Sequence, residues 1–191
     1  MLNEIIKEQF EIIPVSKRSN SCVAILGITN GNGLEHINLC SIGRVIGIDI
    51  NQAFLDECQT RYSNLTQRLD LHKLDLMAEI ADAINVLSQC ELIIANLLIE
   101  HIHLENFSKI IAGLPRHKQV VSCVIQVNPD GAIASASGIE HVFDNVVKQV
   151  EEGNEKALDV SMKDCGYSMA NKTIYDLPNG KHFIRLDYAA V

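Results

Sequence analysis

Three short stretches of this chain carry polar groups at spacings that suit a nucleotide-like ligand. The first is Gly27-Ile28-Thr29-Asn30-Gly31-Asn32-Gly33, at the end of the apolar run Cys22–Gly27. Glycines there let the backbone turn tightly and let a ligand approach it, and Asn30 and Asn32 tolerate left-handed backbone angles. The second is Asp49, which ends Gly47-Ile48-Asp49 within the apolar run RVIGIDI, some 20 residues beyond Gly27. A carboxylate at that place can accept hydrogen bonds from both hydroxyls of a ribose. It also suits a cap on the helix that follows. The third is Asp75 in LHKLDL. It can accept from an adenine amino group, with Leu76 or Met77 flanking the ring. It equally suits a helix N-cap, and one carboxylate can serve both purposes.

The elements that must position these residues follow from periodicity. Leu2 to Phe10 reads as a short helix leading into the domain. Apolar runs at Cys22–Gly27, Arg44–Ile50, Arg68–Asp75, Glu91–Asn96 and Gln119–Val127 read as five strands. Between them lie helical patterns: Leu34 and Ile37; then Phe54, Leu55, Cys58 and Tyr62, capped by Asn51; then Met77, Ile80, Ala81, Ile84 and Leu87; then Phe107, Ile110, Ile111 and Leu114. The first of these helices is expected to present free N–H groups to a polar ligand. Alternation of short strands and helices predicts βαβ units, a parallel sheet and helices on both faces. The tail departs from that rhythm. Ile139 to Val150 and Ala157 to Met162 predict two more helices. Lys172–Leu177 and His182–Tyr188 around Pro178-Asn179-Gly180-Lys181 then predict an antiparallel hairpin. The expected fold class is α/β: a Rossmann-like, doubly wound, mostly parallel seven-stranded sheet with an antiparallel C-terminal hairpin.

At 191 residues the chain fits one domain of about 100–200 residues. Residues 1–20 form its helix and lead-in. The net charge of −8 gives no general attraction to phosphate backbones or anionic lipid. The short clusters Lys17-Arg18 and Arg116-His117-Lys118 read as solvated loop charges. Six cysteines without a CxxC or zinc spacing read as reduced thiols in packing roles, so no metal is expected. No leader or membrane span is predicted, and a cytoplasmic location is expected.

Together these stretches resemble the class I S-adenosylmethionine-dependent methyltransferases over nearly the whole chain, from Val23 to the final hairpin. VAILGITNGNGLEHI is similar to the family's first motif, VIGIDIN to its second-strand motif and LHKLDL to its adenine-side motif. ELIIANLLIEHI is similar to the fourth-strand motif beside the reacting methyl group. Two positions depart from the pattern. Ile25 stands where the family usually has an Asp or Glu, and Thr29 stands at its second glycine. The resemblance implies S-adenosylmethionine as cofactor and S-adenosylhomocysteine as product. It implies a cofactor set of Gly27, Thr29, Asn30, Gly31, Asp49, Ile50, Asp75, Leu76 and Asn96. It further implies that Asn96, Glu100 and His101 stand at the fourth-strand exit as catalytic candidates, with Asn96 holding substrate or the methionine end and Glu100 or His101 as base.

Methyl transfer needs alignment and exclusion of water more than any triad, so the acceptor is weakly encoded. A small molecule is the expected acceptor, with a homodimer left open. The small-residue loop from Asn128 to Gly138 is a candidate cover, and His141 and Phe143 are candidates for the pocket mouth. Two other readings stand. A non-catalytic binder on the same fold draws support from Ile25 and Thr29. A nicotinamide-dependent oxidoreductase fits less well, because neither Gly27-x-Thr29 nor Gly31-x-Gly33-x-x-His36 completes that fingerprint.

Overall fold

Each central strand of the molecule is a run of alternating residues that are apolar on both sides, so each strand must be covered on both faces. A computed structural model describes residues 1–115, 119–127 and 154–191. Its elements, in chain order, are α1 (Leu2–Phe10), α2 (Val15–Arg18), β1 (Cys22–Leu26), α3 (Ile37–Cys40), β2 (Arg44–Asp49), α4 (Gln52–Arg61), β3 (Leu69–Lys73), α5 (Ile80–Leu87), β4 (Leu92–Asn96), α6 (Ile99–Ile102), α7 (Leu104–Ala112), β5 (Val120–Val127), α8 (Asn154–Asp164), β6 (Tyr167–Asp176) and β7 (His182–Ala190). The seven strands form one sheet in the order β3-β2-β1-β4-β5-β7-β6. The pairs β1–β2, β1–β4, β2–β3 and β4–β5 are parallel. The pairs β5–β7 and β6–β7 are antiparallel, with a bulge between Met169 and Asn171.

The two faces follow from the period of two along β1. Ala24 and Leu26 face a core with Ile46, Ile48, Phe107, Ile110, Leu158 and Met162. Val23 and Ile25 face the opposite core, with Phe10, Ile37, Leu55, Cys58 and Ile94. Helices α5, α7 and α8 thus supply one layer, and α1, α3 and α4 the other. All six cysteines are free thiols, five of them buried. No helix of the described residues is long and apolar enough to cross a membrane.

Among the described residues, the five predicted parallel strands and the terminal hairpin are present with shifted ends. Asn51 caps α4 by accepting from the Ala53 N–H at 3.0 Å. Some expectations need correction. The helix predicted from Leu34 is a 3-10 turn, Leu34–His36, followed by the single turn α3. Gly31 and Gly33 hold φ at +90° and +87°, and Ser41 stops the helix in the left-handed region. The Leu34 and His36 N–H groups go to the carbonyls of Gly31 and Gly33. They do not present themselves to a ligand. In α5 the buried face uses Ala83 and Leu87, while Ala81 is exposed and Met77 precedes the helix. Strand β6 begins at Tyr167, ahead of the predicted start at Lys172, because its mostly exposed edge residues leave no clean hydropathy alternation to read. The cluster Arg116-His117-Lys118, the loop from Asn128 to Gly138, the helix predicted from Ile139 to Val150, and His141 and Phe143 lie outside the described residues.

Candidate functional site

Strand order reverses between β1 and β4, and the crevice outside the carboxyl ends of strands at such a point is where open α/β sheets hold ligands. A cleft of ≈ 450 Å³ opens there. Strand β1 delivers Ile25, Leu26 and the bend Gly27-Ile28-Thr29 to its floor, and β2 delivers Ile48, Asp49 and Ile50. The β3 exit adds Leu74, Asp75, Leu76 and Met77, and the β4 exit adds Asn96, Leu97, Leu98, His101 and Ile102. Helix α1 closes the side over β4 with Leu2 and Ile6.

The bend is tied to β2 by its own backbone. The Gly27 and Ile28 N–H groups both donate to the Ile48 carbonyl, at 2.8 and 3.1 Å. Gly27 holds φ at +66°, and a Cβ on it would stand 3.1 Å from the Leu98 side chain. Asp49 is 9% exposed and turns into the bend. Its Oδ2 accepts from the Thr29 N–H and its Oδ1 from the Asn51 N–H, each at 2.9 Å. A carboxylate offers about four lone-pair sites, so two remain for hydroxyl donors from the cleft. Thr29 pays for this contact with a φ of +50°.

At the neighbouring tip, Asp75 caps the turn leading to α5. Its Oδ1 accepts from the Met77 N–H at 2.8 Å, and the Glu79 carboxylate accepts from the Asp75 N–H at 2.7 Å. Asp75 also lines the cleft, so capping and lining coexist. Around these two carboxylates stand three large apolar side chains open to solvent: Ile50 at 56%, Phe54 at 42% and Met77 at 45% exposure. Water-facing hydrophobes converging on one crevice have the character of a ligand slot.

The site residues implied by the sequence thus divide. Gly27, Thr29, Asp49, Ile50, Asp75, Leu76, Asn96 and His101 line one cleft. Asn30 does not line it, and its amide donates to Glu57 on α4 at 3.2 Å. Gly31 is not part of the lining either, and a Cβ on it would meet the Tyr62 ring at 2.6 Å. Glu100 is half-buried on α6 but outside the cleft lining. Asn96 lines the cleft with its amide engaged elsewhere. Its Nδ2 donates to Gln9 Oε1 at 2.8 Å, and its Oδ1 accepts from Gln9 Nε2 at 2.9 Å.

Behind the bend, burial pushes the Tyr62 hydroxyl up to about 12, helped by its hydrogen bond to Glu35. Burial raises the Glu35 carboxyl, but its own backbone N–H, Asn3 and Tyr62 outweigh that and hold it below the usual range. No cluster of three or more metal-ligating side chains exists among the described residues.

Sequence reasoning missed the wall made by Leu2 and Ile6, the rim residue Phe54 and the Gln9–Asn96 pair. One signal was present: Gln9 sits in the apolar stripe Leu2, Ile5, Ile6, Phe10, where a polar side chain implies a buried partner.

No family model matches the chain, and no curated protein matches it. Solved structures do. One is magnesium protoporphyrin IX methyltransferase from Synechocystis PCC 6803 with bound S-adenosylmethionine, at 13% identity and TM-score 0.65, covering 99% of this chain and 79% of that one. Another is 1,6-didemethyltoxoflavin-N1-methyltransferase from Burkholderia thailandensis, at 11% identity and TM-score 0.67, with coverage of 97% and 78%. That structure holds 1,6-didemethyltoxoflavin and S-adenosylhomocysteine. A putative RNA methyltransferase from Pyrococcus horikoshii matches at 13% identity and TM-score 0.64, with coverage of 98% and 80%. The chain has the fold of the class I S-adenosylmethionine-dependent methyltransferases. In this fold the strand order reverses between β1 and β4, where the cleft opens.

Proposed function

We propose that the cleft binds S-adenosylmethionine and that the protein transfers its methyl group to a small-molecule acceptor. The observation that carries this reading is the convergence of three strand tips. The Gly27–Thr29 bend, Asp49 and Asp75 surround one crevice rimmed by Ile50, Phe54 and Met77. A ribose fits against the two open acceptor positions of Asp49. An adenine fits between the Ile50 and Leu76-Met77 sides, with Asp75 within reach of its amino group. The shared fold with solved methyltransferases that hold S-adenosylmethionine or its product supports the same reading.

In the transfer, a lone pair on the acceptor forms a bond to the methyl carbon. The C–S bond breaks with its electron pair left on sulfur, giving S-adenosylhomocysteine. Where the acceptor arrives protonated, its proton needs a base. His101, exposed at the β4 exit and lining the cleft, is the side chain for that role. Glu100 stands outside the lining, and Asn96 serves as a cleft wall held by Gln9. The apolar walls exclude water, which positions rather than activates the reactants.

The test is a melting series with S-adenosylmethionine, S-adenosylhomocysteine and NAD. A ligand at 100 times its Kd stabilises by about 2.7 kcal/mol. At about 2–4 °C per kcal/mol for this chain length, that is a rise of roughly 5–10 °C. Asp49→Ala is expected to abolish the rise while circular dichroism shows an intact fold. A rise with NAD alone sinks the proposal. A second reading, a non-catalytic binder, is favoured by Ile25 and by the paired amide of Asn96. Binding without turnover across an acceptor panel would select it.

A further inference from the structure

The charges that line the cleft are gathered at one end. Among the described residues lining it, the carboxylates are those of Asp49 and Asp75, at the tips of β2 and β3. From there the cleft crosses the tip of β1 towards β4 and α1, and its walls become Leu2, Ile6, Ile25, Leu97 and Leu98. A ligand with its ribose on Asp49 and its base towards β3 must send its 5′ arm across this apolar stretch.

Part of the backbone along this path is already engaged. Four of the five N–H groups from Gly27 to Gly31 are engaged within the protein: Gly27 and Ile28 with the Ile48 carbonyl, Thr29 with Asp49, and Gly31 with the Ile28 carbonyl. The Leu97 N–H donates to the Val124 carbonyl at 2.8 Å. Among the described residues, the polar side chains on that half are Thr29, Asn32, the Gln9-paired amide of Asn96, and His101 at its exposed edge. None is a carboxylate for an ammonium group. Burying an unpaired ammonium against such walls is unfavourable, whereas a short thioether arm meets apolar surface on the same path.

We propose that the cleft holds its ligand by the adenosine half alone and therefore takes 5′-thioadenosines as a class, with a charged amino-acid arm adding no appreciable affinity. This rests on the adenosine-binding reading above and makes Ile25 and Leu98 the residues that set it. The arm's zwitterion stays at the solvent edge of the cleft, near His101.

The comparison that isolates the arm is S-adenosylhomocysteine against 5′-methylthioadenosine. Both are neutral thioethers of the same nucleoside, and they differ in the homocysteine zwitterion. Calorimetric titration of the full chain with each, and with adenosine, gives the three constants. The expected result is a Kd for 5′-methylthioadenosine within fivefold of that for S-adenosylhomocysteine. S-adenosylhomocysteine binding more than fivefold tighter overturns the inference while leaving the adenosine site standing. Absence of binding by all three overturns the adenosine reading and this inference with it.

Discussion

Thr29 shows what a single contact in this cleft demands of the backbone. Its φ of +50° lies in the left-handed region, which an L-residue enters at a cost of about 1–2 kcal/mol and a β-branched one rarely. What it gains is the 2.9 Å bond from its N–H to Asp49, which fixes the carboxylate against the bend. The side chain itself is exposed. Glycine reaches the same angles without the steric penalty but loses more entropy on folding. Thr29→Gly is therefore expected to stabilise the protein by about 0.5–1 kcal/mol, read as a higher urea midpoint at unchanged slope. A lower midpoint would show that the threonine side chain contributes a contact of its own. Ile25, by contrast, is buried at the cleft floor and needs no strain to sit there. Its consequence is chemical, since it brings an apolar surface to a place where a charged arm would pass.

At the scale of elements, α4 is seated on the bend through Cys58 and Tyr62, which pack directly over Gly31. Burial raises the Cys58 thiol from 9.0 to about 11 and the Tyr62 hydroxyl from 10.0 to about 12. The folded protein keeps both protons at a pH where the unfolded chain has released them. Stability from these groups is complete below about pH 9, and it declines as pH rises through 9 to 12. Urea midpoints measured over that range should fall, and Tyr62→Phe should flatten the part of the decline between pH 10 and 12. An unaltered slope in the variant would remove Tyr62 as a cause.

The legibility of the elements follows the same packing logic. Strands β1, β2, β4 and β5 were readable because both faces are buried, which writes them as unbroken apolar runs. The Asn-Gly turn made the hairpin readable. The short helix after the bend was not, because two glycines at positive φ and the left-handed Ser41 override the apolar spacing of Leu34 and Ile37. In the cleft, residues that act through backbone geometry or a strand end, such as Gly27 and Asp49, were legible. Asn30 and Gly31 were placed in the site by their types. The fold turns them towards α4 because the tertiary neighbours Glu57 and Tyr62 lie about 30 positions on in the chain, beyond the reach of local pattern.

Across the whole molecule, one polar chain joins the cleft wall to the far hairpin. Gln9 on α1 donates to Asn96 at 2.9 Å and to the Ser122 hydroxyl at 2.8 Å. Ser122 donates to Asp187, which Arg185 grips through Nε and Nη2, and Arg185 reaches back to Glu8 on α1 at 3.1 Å. Burial alone would lower the Arg185 pKa, but Asp187 outweighs it and holds the guanidinium above its usual value. Both ends of the network therefore close on α1, the helix whose Leu2 and Ile6 line the cleft. Gln9→Ala would leave the Asn96 amide without its partner and the Ser122 hydroxyl one donor short. Stability is expected to drop by about 2–4 kcal/mol. If the network serves packing only, the surviving folded fraction binds S-adenosylhomocysteine with an unchanged Kd. If it positions the cleft wall, the Kd rises as well, and by linkage the ligand slows amide hydrogen exchange across residues 2–10 in the wild-type chain. The shared position of Gln9 behind Asn96 and of Leu2 and Ile6 over the cleft requires the second outcome. Exchange rates in α1 that ignore saturating ligand would disconnect the helix from the site.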